Sequence, residues 1–350
     1  MSRSFEMTDD AIEPGDLARA LLPDMARITW DRHGELAMAN IRRNASLAAQ
    51  GRSLADLRGA PLGEGSSAVV VAAGPSVRRL DPIGVIKARN YGGALVATES
   101  AIARCLKAGV VPHLVVSLDP HPDRIVRWFG DPALDEQAVG NDDYYRRQDM
   151  DPAFADELRH NRELLALLDR HGKTMRIALA TSASEAVVAR ALDLGMEIFW
   201  WNPMLDDPDA PDSRTREAWR LNRFPCVNAG GNVGSACWMM AHAVLGKRHV
   251  ALTGMDFAYY DGTPYSNTQY YREALALVGE KALSRLFPRF LNPHTGTWFY
   301  TDPAYFWYRE AFLEMVRDAD CMTYNCTGGG IIFGDGITHM ALEDFLDRHG

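Results

Sequence analysis

The 350-residue chain has no apolar run long enough to cross a bilayer. Its longest runs, such as Ala68 to Ala73, fall far short of the ~20 residues that a spanning helix needs, so no transmembrane segment is expected. It has no excess of positive charge. Its 37 basic and 46 acidic residues leave a net charge of -9, which repels a phosphate backbone and makes nucleic acid a poor partner. Cysteine is scarce: Cys105, Cys226, Cys237, Cys321 and Cys326. The number is odd and no two form a C-x-x-C pair, which argues against a disulfide framework and a structural zinc site. There is no basic-then-apolar signal segment, since Thr8, Asp9 and Asp10 make the start polar and acidic. The expected location is the cytoplasm.

What is present is ordinary for a globular chain: 47% apolar and 24% charged residues. Residues 1–65 read as a helical N-terminal extension and linker. Leu17 to Leu22 and Leu36 to Leu57 carry apolar residues at helical spacing, broken by Pro23 and Gly51. Gly59, Pro61, Gly63 and Gly65 form the linker. Residues 66–350 read as one catalytic α/β domain. Expected strands are Ala68–Ala73, Ala94–Thr98, Leu114–Asp119, Met175–Ala180, Glu197–Trp201, Val250–Thr253 and Met322–Asn325. Helices are expected at Glu99–Ala108, Phe154–Arg170, Ala183–Leu194 and Ser235–Leu245. Short, continuously apolar strands alternating with helices imply a Rossmann-like parallel sheet covered on both faces.

Polar residues cluster where these strands end: Gly74-Pro75-Ser76, Thr98-Glu99-Ser100, Asp119-Pro120-His121, Gly254-Met255-Asp256 and Asn325-Cys326-Thr327. Open parallel sheets bind ligands outside the carboxyl ends of their strands. Small polar residues there also cap helices, which is enough to explain Thr181 and Ser182. Three motifs stand out. Val69 to Ser76 is a strand, a glycine turn and a serine at a helix start, where backbone amides and a hydroxyl would face an anion. It is neither the G-x-G-x-x-G fingerprint nor a Walker loop, so dehydrogenase and P-loop readings are disfavoured. Asn228-Ala229-Gly230-Gly231-Asn232-Val233-Gly234-Ser235 precedes an apolar helix and would cradle phosphate or sugar. Asp256 to Tyr265 sets Tyr259, Tyr260 and Tyr265 in a polar turn, placed to stack on a ring or donate to phosphate.

In this order the motifs resemble a family. Residues about 36 to 350 resemble the central domain of the motility-associated factor (Maf) glycosyltransferases. That domain is also called the DUF115 or 6-hydroxymethylpterin diphosphokinase MptE-like domain. The resemblance rests on Ala73-Gly74-Pro75-Ser76, on Leu106 to Pro112 with Ser117-Leu118-Asp119-Pro120, on Gly230-Gly231-Asn232-Val233, on Gly254-Met255-Asp256-Phe257, and on Tyr324-Asn325-Cys326-Thr327-Gly328-Gly329. The family is in turn similar to bacterial sialyltransferases that use CMP-sialic acid without an obligatory metal. That similarity implies two tyrosines supporting the leaving phosphate, Tyr259 or Tyr260 and then Tyr265, and a histidine general base, His294. Full Maf proteins carry large helical regions on both sides of this domain, so flagellin recognition is not implied.

The resulting expectation is a transferase using a nucleotide-activated donor, with a CMP-linked nonulosonic sugar favoured and a surface glycan or protein hydroxyl as acceptor. Tyr260, Tyr265 and His294 are the expected catalytic residues. Gly74, Pro75, Ser76, Glu99, Ser100, Asp119, Gly230, Gly231, Asn232, Ser235, Asp256 and Asn325 are the expected nucleotide-binding residues. No cofactor is required in this reading. Two alternatives remain: an ATP-dependent pterin-type diphosphokinase, with Asp119 and Asp256 on magnesium, and a silent nucleotide- or glycan-binding protein.

Overall fold

The computed structural model describes residues 14–122, 125–141 and 157–350. The strands are β1 (Arg52–Ser53), β2 (Ser67–Val71), β3 (Ala94–Thr98), β4 (Leu114–Ser117), β5 (Arg176–Ala180), β6 (Glu197–Pro203), β7 (Cys226–Val227), β8 (His249–Thr253), β9 (Tyr259–Tyr260), β10 (Arg289–Leu291), β11 (Trp298–Tyr300), β12 (Met322–Asn325) and β13 (Ile337–His339). The main sheet runs β1-β6-β5-β4-β3-β2-β8-β12-β13, with β7 paired to β6 off that path. Every pairing in it is parallel.

Both faces of this sheet are covered, which is why its strands read as unbroken apolar runs. Alternation divides them. Ala68, Val70, Val96 and Leu252 pack with Trp238, Met240 and Phe312 on one face. Val69, Val71, Leu95 and Ala251 pack with Ile83, Ile86, Phe345 and Leu346 on the other. The seven expected strands are all present, with ends differing by at most two residues. The expected helix Ser235–Leu245 instead divides into an α-helix, Val233–Met239, and a π-turn, Met240–Val244. Phe154–Arg170 appears as Glu157–His171, its first three residues lying outside the described ones.

The N-terminal segment is bonded to this body. Asn44 Nδ2 in the helix Met25–Asn44 donates to the Thr181 and Ala183 carbonyls, each at 2.8 Å. β1 adds an edge strand beside β6. Lys247 Nζ donates to the Gly63 and Gly65 carbonyls of the linker at 3.1 and 2.9 Å. The small antiparallel sheet β10-β11-β9 was not anticipated. Among the described residues no helix is long and apolar enough to cross a membrane.

Strand order reverses next to β2. β3, β4, β5 and β6 follow on one side, β8, β12 and β13 on the other. The gap at the carboxyl ends of β2 and β8 is therefore the topological switch point, where ligands of open α/β sheets bind.

Candidate functional site

Two of the sequence motifs meet at this point. The β2 turn joins the β8 turn through Gly74 N–H, which donates to the Gly254 carbonyl at 2.8 Å. Ser76 opens the short helix Ser76–Leu80. Its hydroxyl donates to Asp256 Oδ2 at 2.7 Å and its N–H to the same oxygen at 3.3 Å. The amide and hydroxyl expected to face a ligand anion thus face the chain's own carboxylate. Gly74 is needed for the same reason: a Cβ there would lie 2.2 Å from Asp256 Oδ2 and 2.5 Å from the Gly254 carbonyl. Asp256 is buried and its other oxygen, Oδ1, has no hydrogen-bond partner. Burial pushes its pKa up to about 7, against the opposing Ser76 hydrogen bonds and the Arg79 charge.

Tyr260 faces this junction and Tyr265 does not. In β9 successive side chains take opposite sides. Tyr260 pairs in register with Phe299, its ring packs on Phe299, and its hydroxyl lies against Gly329. That hydroxyl makes no hydrogen bond among the described residues, and burial together with the Asp256 charge raises its pKa to about 12. Tyr259 points the other way, donating to Asp302 Oδ2 and accepting from Gln269 N–H, both at 3.0 Å. Tyr265 lies on the Tyr259 side, stacked on Phe287 at 4.3 Å and edge-on to Tyr300.

His294 occupies the exposed turn between β10 and β11 and stacks on His339 at 4.5 Å. Asn292 holds the base of that turn, accepting from His294 N–H and donating to the Gly330 carbonyl at 2.9 Å. A Cβ on Gly330 would lie 2.3 Å from the Asp256 carbonyl, so His294 stands one layer outside Asp256. Asn325 is spent on structure: it donates to the Ile332 carbonyl at 2.6 Å and accepts from Thr327 N–H at 2.9 Å.

Glu99 follows β3, one strand from β2. It is buried, its Oε2 has no partner, and burial with the nearby Asp119 charge pushes its pKa up to about 8. Ser100 exchanges a hydrogen bond with Thr98 at 2.9 Å. Asp119 is exposed and accepts from His121 N–H at 2.8 Å, forming a local turn. Pro75 sets the entry to the Ser76 helix.

The glycine-rich loop is filled from within the chain. Cβ atoms on Gly230 and Gly231 would lie 2.9 Å from Met315 Sδ and 2.6 Å from Trp307, both on the helix Pro303–Arg317. Asn232 caps its own helix, accepting from Ser235 N–H at 2.9 Å and donating to Ser235 Oγ at 2.8 Å. A Cβ on Gly234 would meet Met255, which places this helix start beside the switch point. A cleft of about 310 Å³ lies away from the junction, between Trp238, His242, Glu314 and Asp318, and reaches this loop only at Asn228.

The sequence reading missed Arg79. Its guanidinium lies 3.7 Å from the centroid of the Tyr260 ring. The available signal was the spacing, because Ser76 and Arg79 are three apart on one helix and share a face.

No family model matches the chain, and no curated protein matches it. Among solved structures it is similar to the MAf glycosyltransferase from Magnetospirillum magneticum AMB-1, with a TM-score of 0.54 and 14% sequence identity. The match covers 95% of this chain and 47% of that one, so the chain spans about half the length of the structure it matches. The likeness is one of fold.

Proposed function

We propose that the chain is a transferase acting on a nucleotide-activated donor, and that it moves a sialic-acid-like nonulosonic sugar from its CMP conjugate to a glycan or protein hydroxyl. The observation that carries this reading is the Ser76–Asp256 junction at the strand-order reversal, with the unbonded Tyr260 hydroxyl beside it. A fold shared with a protein described as a glycosyltransferase supports the sugar-transfer form of it.

In this reading Asp256 Oδ1 and Glu99 Oε2, two of the buried oxygens without partners, accept hydroxyl or amino hydrogens of the nucleoside. The Tyr260 hydroxyl donates to the departing phosphate, where charge develops. His294 takes the acceptor proton, entering from the β10–β11 turn. Tyr265 supports the reaction indirectly, by bracing the turn that carries Tyr260 against Phe287.

The diphosphokinase alternative would place magnesium on Asp119 and Asp256. The residues fit that poorly. Asp256 is buried and bonded through Oδ2 to Ser76, and burial raises its pKa to about 7, disfavouring the charged form that a cation would need. Among the described residues no group of three or more His, Cys, Asp or Glu side chains is gathered to hold a metal.

Thermal-shift measurements against CMP, UDP, GDP and ATP, each with magnesium and with EDTA, test the proposal. CMP is expected to stabilise the chain in EDTA, by about 2.7 kcal/mol at 100 times its dissociation constant. Turnover of a CMP-sugar is expected to survive EDTA. Stabilisation by ATP alone, and only with magnesium, would select the diphosphokinase. A shift without turnover of any donor would select a silent binding protein.

A further inference from the structure

A nucleotide brings at least one phosphate to a junction whose own side chains are carboxyl groups and a serine and supply no cation. Asp256 ends there, Glu99 follows the neighbouring strand β3, and Ser76 already spends its amide and hydroxyl on Asp256. The phosphate therefore needs a cation or donor from elsewhere. Two other arginines of the surrounding elements are committed. Arg309 donates to the Ile331 carbonyl at 2.7 Å and the Phe333 carbonyl at 3.0 Å, and pairs with Glu310. Arg289 lies on the Tyr265 side of the small sheet and pairs with Asp261 at 2.9 Å. Arg79 is different. It is exposed, forms no ion pair among the described residues, and its charge reaches Asp256.

The geometry points to Arg79 as the phosphate clamp of this site, with the Tyr260 ring as the pedestal that aims its guanidinium. This rests on the proposed nucleotide reading and adds to it the group that binds the phosphate. Contact with a ring face uses the charge of a guanidinium but none of its N–H donors. Those donors stay available for two phosphate oxygens in a fork. The helix sets the direction: Ser76 bonds to Asp256, and Arg79, three residues on, lies on the same face. One pair of contacts thus joins the residue that receives the phosphate, Arg79, to the residue proposed to act on it as it leaves, Tyr260.

The test compares CMP with cytidine by calorimetry on the full chain and on Arg79→Gln and Arg79→Lys. Arg79→Gln is expected to weaken CMP about tenfold or more while leaving cytidine affinity and thermal stability unchanged. The fall of CMP affinity with added salt should become shallower in the same variant, a readout that stands even where cytidine binds too weakly to measure. Arg79→Lys keeps the charge but loses the planar fork, so it should fall between the two. If ATP rather than CMP binds the wild type, the same comparison is made with ATP against adenosine. Equal CMP affinity and equal salt dependence in Arg79→Gln and wild type would overturn the assignment while leaving the nucleotide reading intact. Loss of CMP and cytidine together would also overturn it, by showing a structural role. Failure of the wild type to bind any of CMP, UDP, GDP or ATP would remove both the assignment and the reading beneath it.

Discussion

Glu99 and Asp256 show what burial does to single residues at this junction. Burial is the first cause of each rise, to about 8 and about 7, and Asp302 rises to about 6 in the same way. All three are raised above their ordinary carboxylate values, so the native chain holds protons that the unfolded chain releases. The sign follows: their stabilisation is fully present below about pH 4 and is lost as pH rises through 6 to 8. Glu99→Gln removes the largest of the three ionisations while keeping the shape. The variant should lose less stability than the wild type between pH 4.5 and pH 8, with a crossover in melting temperature of a few degrees toward the alkaline end. Each tenfold change in proton affinity corresponds to about 1.4 kcal/mol, so the effect is within reach of a melting curve. Parallel pH profiles for the two proteins would show that Glu99 ionises freely in the folded chain. The glycines carry the opposite lesson. Gly74 was legible as a turn residue, but what fills the space beside it, the Asp256 carboxylate 182 residues later, was not.

At the scale of the element, the aromatic segment after Asp256 is decided by a two-residue strand. The sequence displays Tyr259, Tyr260 and Tyr265 as one polar turn. Pairing of β9 with β11 then sends Tyr260 and Phe299 to one side and Tyr259 and Tyr300 to the other. Strands of two or three residues leave no readable period, so the small sheet, and the separation of the tyrosines across it, could not be read beforehand. A pair of substitutions follows from that separation. Tyr260→Phe should lower turnover about 10²-fold with little change in stability, because it removes a donor at the departing phosphate and leaves the ring. Tyr265→Phe keeps the stacking on Phe287 and should leave turnover near that of the wild type. The reverse pattern in steady-state kinetics would move the phosphate site to the Tyr265 side of β9. The helix after the glycine-rich loop shows the same limit. Its apolar spacing was readable, whereas no spacing marks the π-turn at Met240–Val244, a form rare enough that a helical pattern does not announce it.

Across the whole molecule, the parallel sheet was the most legible feature, because strands covered on both faces must be apolar throughout. Ala94–Thr98 and Met322–Asn325 were placed to the residue. The edges were less legible. β1 is only Arg52–Ser53, paired with a strand far away in sequence, and β13 is Ile337–His339, paired with the strand just before it; both are too short to show a period. The division at residue 66 separates a helical segment from the sheet in the sequence, and the folded chain crosses that division at several points. Leu54, Leu57 and Leu62 pack in the same core as Ala68, Val70 and Trp238. Asn40 Nδ2 donates to the Ser182 carbonyl at 2.8 Å, Asn44 to two further strand-end carbonyls, and Lys247 grips the linker. Removing residues 1–65 would hand these carbonyls and Lys247 to water, losing about 0.5–1.5 kcal/mol for each hydrogen bond. It would also open apolar surface now covered by three leucines, at about 1.5–3 kcal/mol for each side chain. The sum is comparable to the ~5–15 kcal/mol that holds a typical domain together. Residues 66–350 produced alone should therefore bind a hydrophobic dye and lose the cooperative melting transition of the full chain. A fragment that melts as sharply and as high as the full chain would make the N-terminal segment a separable extension.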